Sequence, residues 1–342
     1  MSLTVRQPTE ESYWNFKVNS QNNAISTMSI ISQTDSLVVT NVNDDKLYSM
    51  DINDQFRVDR TIVTGVEIPD VSVVDTFEFN CIVAAKDVVS LIDLEIGEKN
   101  YEFYNTPKRE ERDMVRNAII DCKFINNQLM ATCGRNSRLN LFDIRLNNNN
   151  GPISDIAFVN YVVGGDQNCI GYNGDYISVG NSLGQIYSLD LRNLRIIEDK
   201  VSNSSIISMQ QSKDSCIFID QIGDLKMYNI TNGNYLLLQN VSGGEQLTKR
   251  GNIEYIKDHN KIITRSNTND RQVQILSIGV NNDTNKSGND LPYYCEQTTK
   301  TIEVDKSINE KSAINYTKYN SYSNRLIASD DKGTIHVWNN AF

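Results

Sequence analysis

Two short stretches, "FDIRLN" and "LDLRN", put an arginine two residues after an aspartate at the end of an alternating run: Asp143-Ile144-Arg145 and Asp190-Leu191-Arg192. A guanidinium presents a planar fork of N–H donors that holds a carboxylate through two parallel bonds, and arginine is enriched among the residues that dominate protein interfaces. The chemistry suggested is recognition, not bond making. Asp143, Arg145, Asp190 and Arg192 are therefore the candidate partner-binding residues. The same spacing also suits a structural task, in which each arginine ties its own part of the chain to the next.

Groups suited to catalysis are sparse. The two histidines are His259, in the polar turn "KDHNK", and His336, inside an alternating apolar run. The second reads as a packed core residue. No G-x-S-x-G, H-E-x-x-H or G-x-x-x-x-G-K-[ST] pattern occurs, and Gly164-Gly165 and Gly243-Gly244 lack the Lys-Ser/Thr that a phosphate loop needs. Cys81, Cys122, Cys133, Cys169, Cys216 and Cys295 stand singly in apolar runs, as buried reduced thiols do. Asp283, Asn285, Ser287 and Gly288 have the opening spacing of a calcium loop, but its twelfth position is Tyr294 where a bidentate Glu is required. The expectation is a non-enzyme with no catalytic residues, no cofactor and no metal.

Charge narrows the partner class. Lys and Arg number 33 against 43 Asp and Glu, a net −10. Such a chain lacks the global attraction that phosphate backbones require, which argues against a nucleic-acid partner. No apolar run approaches the ~20 residues of a membrane span, and the first residues carry no signal pattern. A cytoplasmic or nuclear protein is expected. No small-molecule substrate is evident.

The elements that position these residues repeat along the chain. Strand-like runs close on Asp51, Asp93, Asp143, Asp190, Asn229, Ser277 and Asn339, each with a bulky apolar residue just before the polar one. Upstream of them lie a turn and a second apolar run, as in "SLVVTNVNDD", "NCIVAAKD" and "SCIFIDQIGD", and then a third run, as in "SIISMQQSKD". Three to four strands roughly every 45 residues, seven times over, point to an all-β, seven-bladed β-propeller. Helical composition is confined to Lys108–Arg116, and insertions fall at 104–114, 146–152 and 279–292. The last hairpin, "ASDDKGTIHVWN", would end on a bare edge. "SYWNFKVNS", Ser12 to Ser20, alternates Trp14, Phe16 and Val18 with Tyr13, Asn15 and Lys17, and is expected to cover that edge as the fourth strand of the final blade. Residues 1–342 then form a single domain.

On the closing "ASDDKGTIHVWN" and the weaker copies upstream, the chain resembles the WD-repeat family. It departs from the family in two ways. The repeat Trp is replaced by Met50, Ile92, Phe142, Leu189, Tyr228 and Leu276, and the Gly-His dipeptide is missing everywhere. The family's Asp-His-Ser-Trp relay is therefore incomplete in most blades, and stability must rest on apolar packing between blades. The resemblance implies a scaffold or adaptor that binds other protein subunits of a complex. Paired boxes like those at Arg145 and Arg192 are similar to those of substrate receptors of Cullin-4-type ubiquitin ligases, where the Arg helps dock onto the adaptor. That is the alternative function. A second alternative is the branch associated with hydrolysing the diphthamide-pathway methyl ester, although no residue here carries that resemblance.

Overall fold

The computed structural model describes residues 2–3, 13–18, 23–31, 33–52, 58–65, 73–105, 118–135, 137–146, 151–157, 165–241, 253–265, 272–280, 293–303 and 312–339. The charged stretch Lys108–Arg116, most of the three insertions, the Asp283–Gly288 segment and the Gly243-Gly244 pair lie outside them.

Seven antiparallel sheets are arranged as blades. Blade 1 holds Ile25–Ile30, Ser36–Asn41, Lys46–Asp51 and Val58–Val63. Blade 2 holds Val73–Phe77, Asn80–Ala85, Val88–Asp93 and Glu98–Tyr104. Blade 3 holds Ile119–Phe124, Leu129–Gly134, Arg138–Asp143 and Ser154–Ala157. Blade 4 holds Gln167–Tyr172, Tyr176–Asn181, Gln185–Asp190 and Arg195–Lys200. Blade 5 holds Ile206–Ser212, Ser215–Asp220, Asp224–Asn229 and Tyr235–Asn240. Blade 6 holds Ile253–Ile256, Lys261–Arg265, Gln272–Val280 and Tyr293–Glu303. Blade 7 takes Ile314–Asn320, Arg325–Asp330 and Thr334–Asn339 from the end of the chain and Tyr13–Lys17 from its beginning.

That last pairing closes the ring. Tyr13–Lys17 runs antiparallel to Thr334–Asn339 in register Trp14↔Val337 and Phe16↔Ile335. The Val18 N–H donates to the Gly333 carbonyl at 3.1 Å. The turn there needs its glycine: Gly333 has φ 77°, and a Cβ would meet the Asn23 carbonyl oxygen at 2.6 Å. One pairing was not legible in the sequence. Ser2–Leu3 adds a fifth, parallel strand to blade 6 opposite Thr301 and Ile302.

The first strands of neighbouring blades pack side by side around the axis, and the seventh meets the first. A buried apolar cluster fills each junction: blades 7 and 1, 1 and 2, 2 and 3, 3 and 4, 4 and 5, 5 and 6, and 6 and 7. Met50, Ile92, Phe142, Leu189, Tyr228, Leu276 and Trp338, the residues at the repeat-Trp position, are all buried, and each packs back onto the preceding blade. Apolar packing therefore replaces the missing relay, as a large side chain at that position already contributes ~1.5–3 kcal/mol through burial alone. Blade 7 holds a polar pair beside its repeat Trp, with His336 Nε2 3.3 Å from Asp330 Oδ2 and both side chains buried. Blade 5 puts Lys226 at the matching strand position, its Nζ 2.9 Å from Asp220 Oδ2.

Each blade begins on its inner strand and alternates outward. The described first-to-second and third-to-fourth turns therefore open on one face of the ring, and the second-to-third turns on the other.

Candidate functional site

The face formed by the first-to-second and third-to-fourth turns is built by one repeated bond. Two residues after the repeat-Trp position comes Ile52, Leu94, Ile144, Leu191, Ile230 or Ile278. Each donates its N–H, at 2.7–2.8 Å, to a first-turn carbonyl of its own blade: Asp35, Phe79, Gln128, Asp175, Asp214 or Asn260. The apolar residue in the D-x-R box is thus a fixture of six blades. The variable residue is the next one, and it is arginine only in blades 3 and 4.

Both arginines fold back on their own aspartate. Arg145 donates from Nε to Asp143 Oδ1 at 2.9 Å and from a terminal nitrogen to Oδ2 at 2.6 Å. Arg192 repeats this on Asp190 at 2.9 and 2.8 Å, donates to the Tyr176 hydroxyl at 2.6 Å, and stacks 5.1 Å over the Tyr176 ring. The bonds from the guanidinium groups hold Asp143 and Asp190 down to about 2, well below the ordinary carboxylate range. The carboxylates are buried while the arginine side chains stay 59% and 56% exposed. Both guanidinium groups find their partners within their own blade, so neither is the blade-to-blade tie that the sequence left open. Chemically, each box is a neutral, rigid pair with one guanidinium edge facing water.

The same face carries large apolar side chains on three consecutive blades. Phe79 (54% exposed) and Ile96 (66%) stand on blade 2, Leu146 (53%) on blade 3 and Leu194 (73%) on blade 4. Tyr322 occupies a first turn of blade 7 and is also exposed. In the described second-to-third turns of the opposite face Leu183 and Ile222 are the exposed large hydrophobics, and both are less exposed than these. The sequence reading singled out the arginines and missed the apolar residues, because a single Leu or Ile in a turn has no signal until the turns are known to share a face.

Elsewhere the polar groups are structural. Inner-strand side chains clasp the backbone of the next blade around an axial cavity. Asp75 accepts from the Phe124 N–H at 2.8 Å, Asp121 from the Ile170 N–H at 2.7 Å and Ser208 from the Ile253 N–H at 3.2 Å. Lys123 also faces this cavity. Burial works against its charge, but the Asp75 and Asp121 carboxylates more than offset it and raise its pKa above the ordinary lysine value. His259 is exposed in its turn, with its ring edge-on to Tyr319. Cys81, Cys122, Cys133, Cys169 and Cys216 are buried thiols, and burial pushes the Cys216 thiol up to about 12. Among the described residues no three His, Cys, Asp or Glu side chains gather as metal ligands, and no helix is long and apolar enough to cross a membrane.

No protein-family model and no curated protein matches the chain. Among solved structures, the β-propeller domain of Cps50 (Swd1) from Myceliophteria thermophila is similar, with a TM-score of 0.67 and 14% identity over 95% of this chain and 99% of that one. At that identity the likeness is one of fold: a seven-bladed β-propeller, as the WD-repeat resemblance implied.

Proposed function

We propose that residues 1–342 form one propeller domain serving, in cytoplasm or nucleus, as a non-catalytic platform for other protein subunits. The partner surface in this reading is the face of blades 2 to 4 that carries Arg145 and Arg192. One observation carries it. On a chain of net charge −10, three consecutive blades present large apolar side chains on one face, and the turn carboxylates beside two of them are neutralised by arginine. The cores of protein interfaces are depleted in charge and enriched in apolar residues and arginine, which is this combination. The Cullin-4-type receptor is a more specific form of the same reading, favoured by the paired boxes on adjacent blades, and it predicts the ligase's adaptor among the bound chains.

The test uses the tagged full-length chain. Phe79→Ser, Ile96→Ser and Leu146→Ser, combined, should release the chains that co-purify in stoichiometric amount. Leu183→Ser with Ile222→Ser, on the opposite face, should retain them. Retention by the first variant, or release by the second alone, would overturn the assignment of the face.

A further inference from the structure

The third-to-fourth turns of blades 2, 4 and 5 share one backbone bond. The fourth residue after the strand-end polar residue donates its N–H back to that residue's carbonyl: Gly97 to Asp93 at 2.8 Å, Leu194 to Asp190 at 2.7 Å and Gly233 to Asn229 at 3.0 Å. The position takes a left-handed conformation, with φ of 84°, 59° and 74° respectively. Two blades fill it with glycine, which adopts that conformation without a steric penalty, and blade 4 fills it with leucine. Nine described non-glycine residues have positive φ, and the other eight are polar or charged: Gln33, Asn43, Glu78, Lys86, Ser137, Lys213, Asn260 and Asn324. Leu194 is at the same time the most exposed large hydrophobic residue of those described. The side chain thus sits on a strained backbone and leaves most of its apolar surface in water. Residues held in this way concentrate at binding sites.

Resting on the reading of blades 2 to 4 as the docking face, we propose that Leu194 is an anchor that inserts into an apolar pocket of a folded protein partner. The surroundings decide the partner class. Leu194 projects from a turn, so its complement is concave, which a bare extended peptide is not. Arg192 is bound to Asp190 and stacked on Tyr176, and Asn193 donates to Asp190 at 3.2 Å, so the base of the projection is stiff. The Asp190 carboxylate at the base of the turn is already held by Arg192, so docking on the projection buries no unpaired carboxylate from that position.

Leu194→Gly and Leu194→Ala separate the two properties. Glycine relieves the strain and removes the side chain, whereas alanine removes the side chain and keeps the strain. In full-length protein, Leu194→Gly should raise Tm by on the order of 1 to 2 °C, and Leu194→Ala should not raise it. Both should weaken, by about tenfold or more, the Kd for the chain that co-purifies with wild type, purified separately and titrated. A lowered Tm for Leu194→Gly would overturn the strain argument. Unchanged affinity in both variants, with Phe79→Ser and Leu146→Ser still impaired, would overturn the anchor and leave the docking face standing. Unchanged affinity in all of them would overturn the docking face as well. Phosphatidylcholine vesicles bound by wild type and not by Leu194→Gly would make the residue a membrane contact. Self-association of wild type lost in Leu194→Gly would make the pocket that of a second copy. Either outcome would overturn the partner class stated here.

Discussion

Asp190 and Arg192, two residues apart, close on each other through bonds of 2.9 and 2.8 Å that leave the carboxylate buried and the guanidinium more than half exposed. Asp143 and Arg145 do the same in the preceding blade. The arginine is therefore spent twice: it neutralises a carboxylate that the turn needs for its own backbone, and it presents the remaining edge to whatever approaches. Asp190 and Asp143 each also accept the backbone N–H of their arginine, at 2.9 and 3.0 Å, which is why the aspartate comes first in the box.

This pairing has a pH signature. A carboxyl held down to about 2 in the folded chain, against an ordinary value near ~4, stabilises the fold fully above pH ~4. The contribution is lost as pH falls through about 2. Carbon-13 titration of the aspartate carboxyls should show Asp143 and Asp190 still ionised at pH ~3, and in Arg145→Gln or Arg192→Gln the partner aspartate should return to the ordinary range.

Ring closure is testable by truncation. Phe16 packs on the buried cluster between blades 7 and 1, and Val18 is buried in it. Deleting residues 1–20 removes both and bares the edge of Thr334–Asn339. The loss should be several kcal/mol at ~1.5–3 kcal/mol for each large apolar side chain, with self-association through the freed edge. Calorimetry and sedimentation should show a lower Tm and concentration-dependent oligomers. A monomer melting at the wild-type temperature would refute the closure.

Blade 5 contains a buried cation at the strand position that His336 takes in blade 7. Lys226 contacts Asp220 at 2.9 Å and Asp224 at 3.2 Å, and Asp220 also accepts from the Ser202 hydroxyl at 2.6 Å. Burial disfavours the ammonium, yet these carboxylates more than compensate and raise its pKa. Lys226→Met should destabilise by about 3 to 5 kcal/mol in chemical denaturation, because it strands the buried Asp220 charge. Lys226→Met with Asp220→Leu should recover most of the loss.

Much of this fold can be read from the chain because its determinants are local and repeated. The alternating third strands, the turn glycines and the N-terminal partner for the last hairpin are period-2 and turn signals that survive the loss of the repeat tryptophans. The apolar substitutes at Met50, Ile92 and Phe142 keep the same burial by packing on the preceding blade. The site is less legible. Asp143, Arg145, Asp190 and Arg192 stand out by type and spacing, but the direction of the guanidinium depends on a turn geometry that sequence does not display. Leu194 became informative only once its turn could be superposed in register with those of Gly97 and Gly233. The two-residue parallel strand Ser2–Leu3 is too short for any periodicity to reveal.

The most direct test of the docking account is the Arg145→Glu, Arg192→Glu double variant, measured for thermal stability and for affinity toward the co-purifying chain. Each pair joins an exposed guanidinium to a buried carboxylate, so Tm should fall once the carboxylates lose their partners. Replacing two neutral pairs with four carboxylates on the docking face should cost about 2 kcal/mol or more in binding. Weakened binding by a variant that is still folded at the assay temperature is the predicted result. Full binding with a clearly lowered Tm would contradict the account, leaving the two boxes as locks on their own turns and the partner surface elsewhere on the ring.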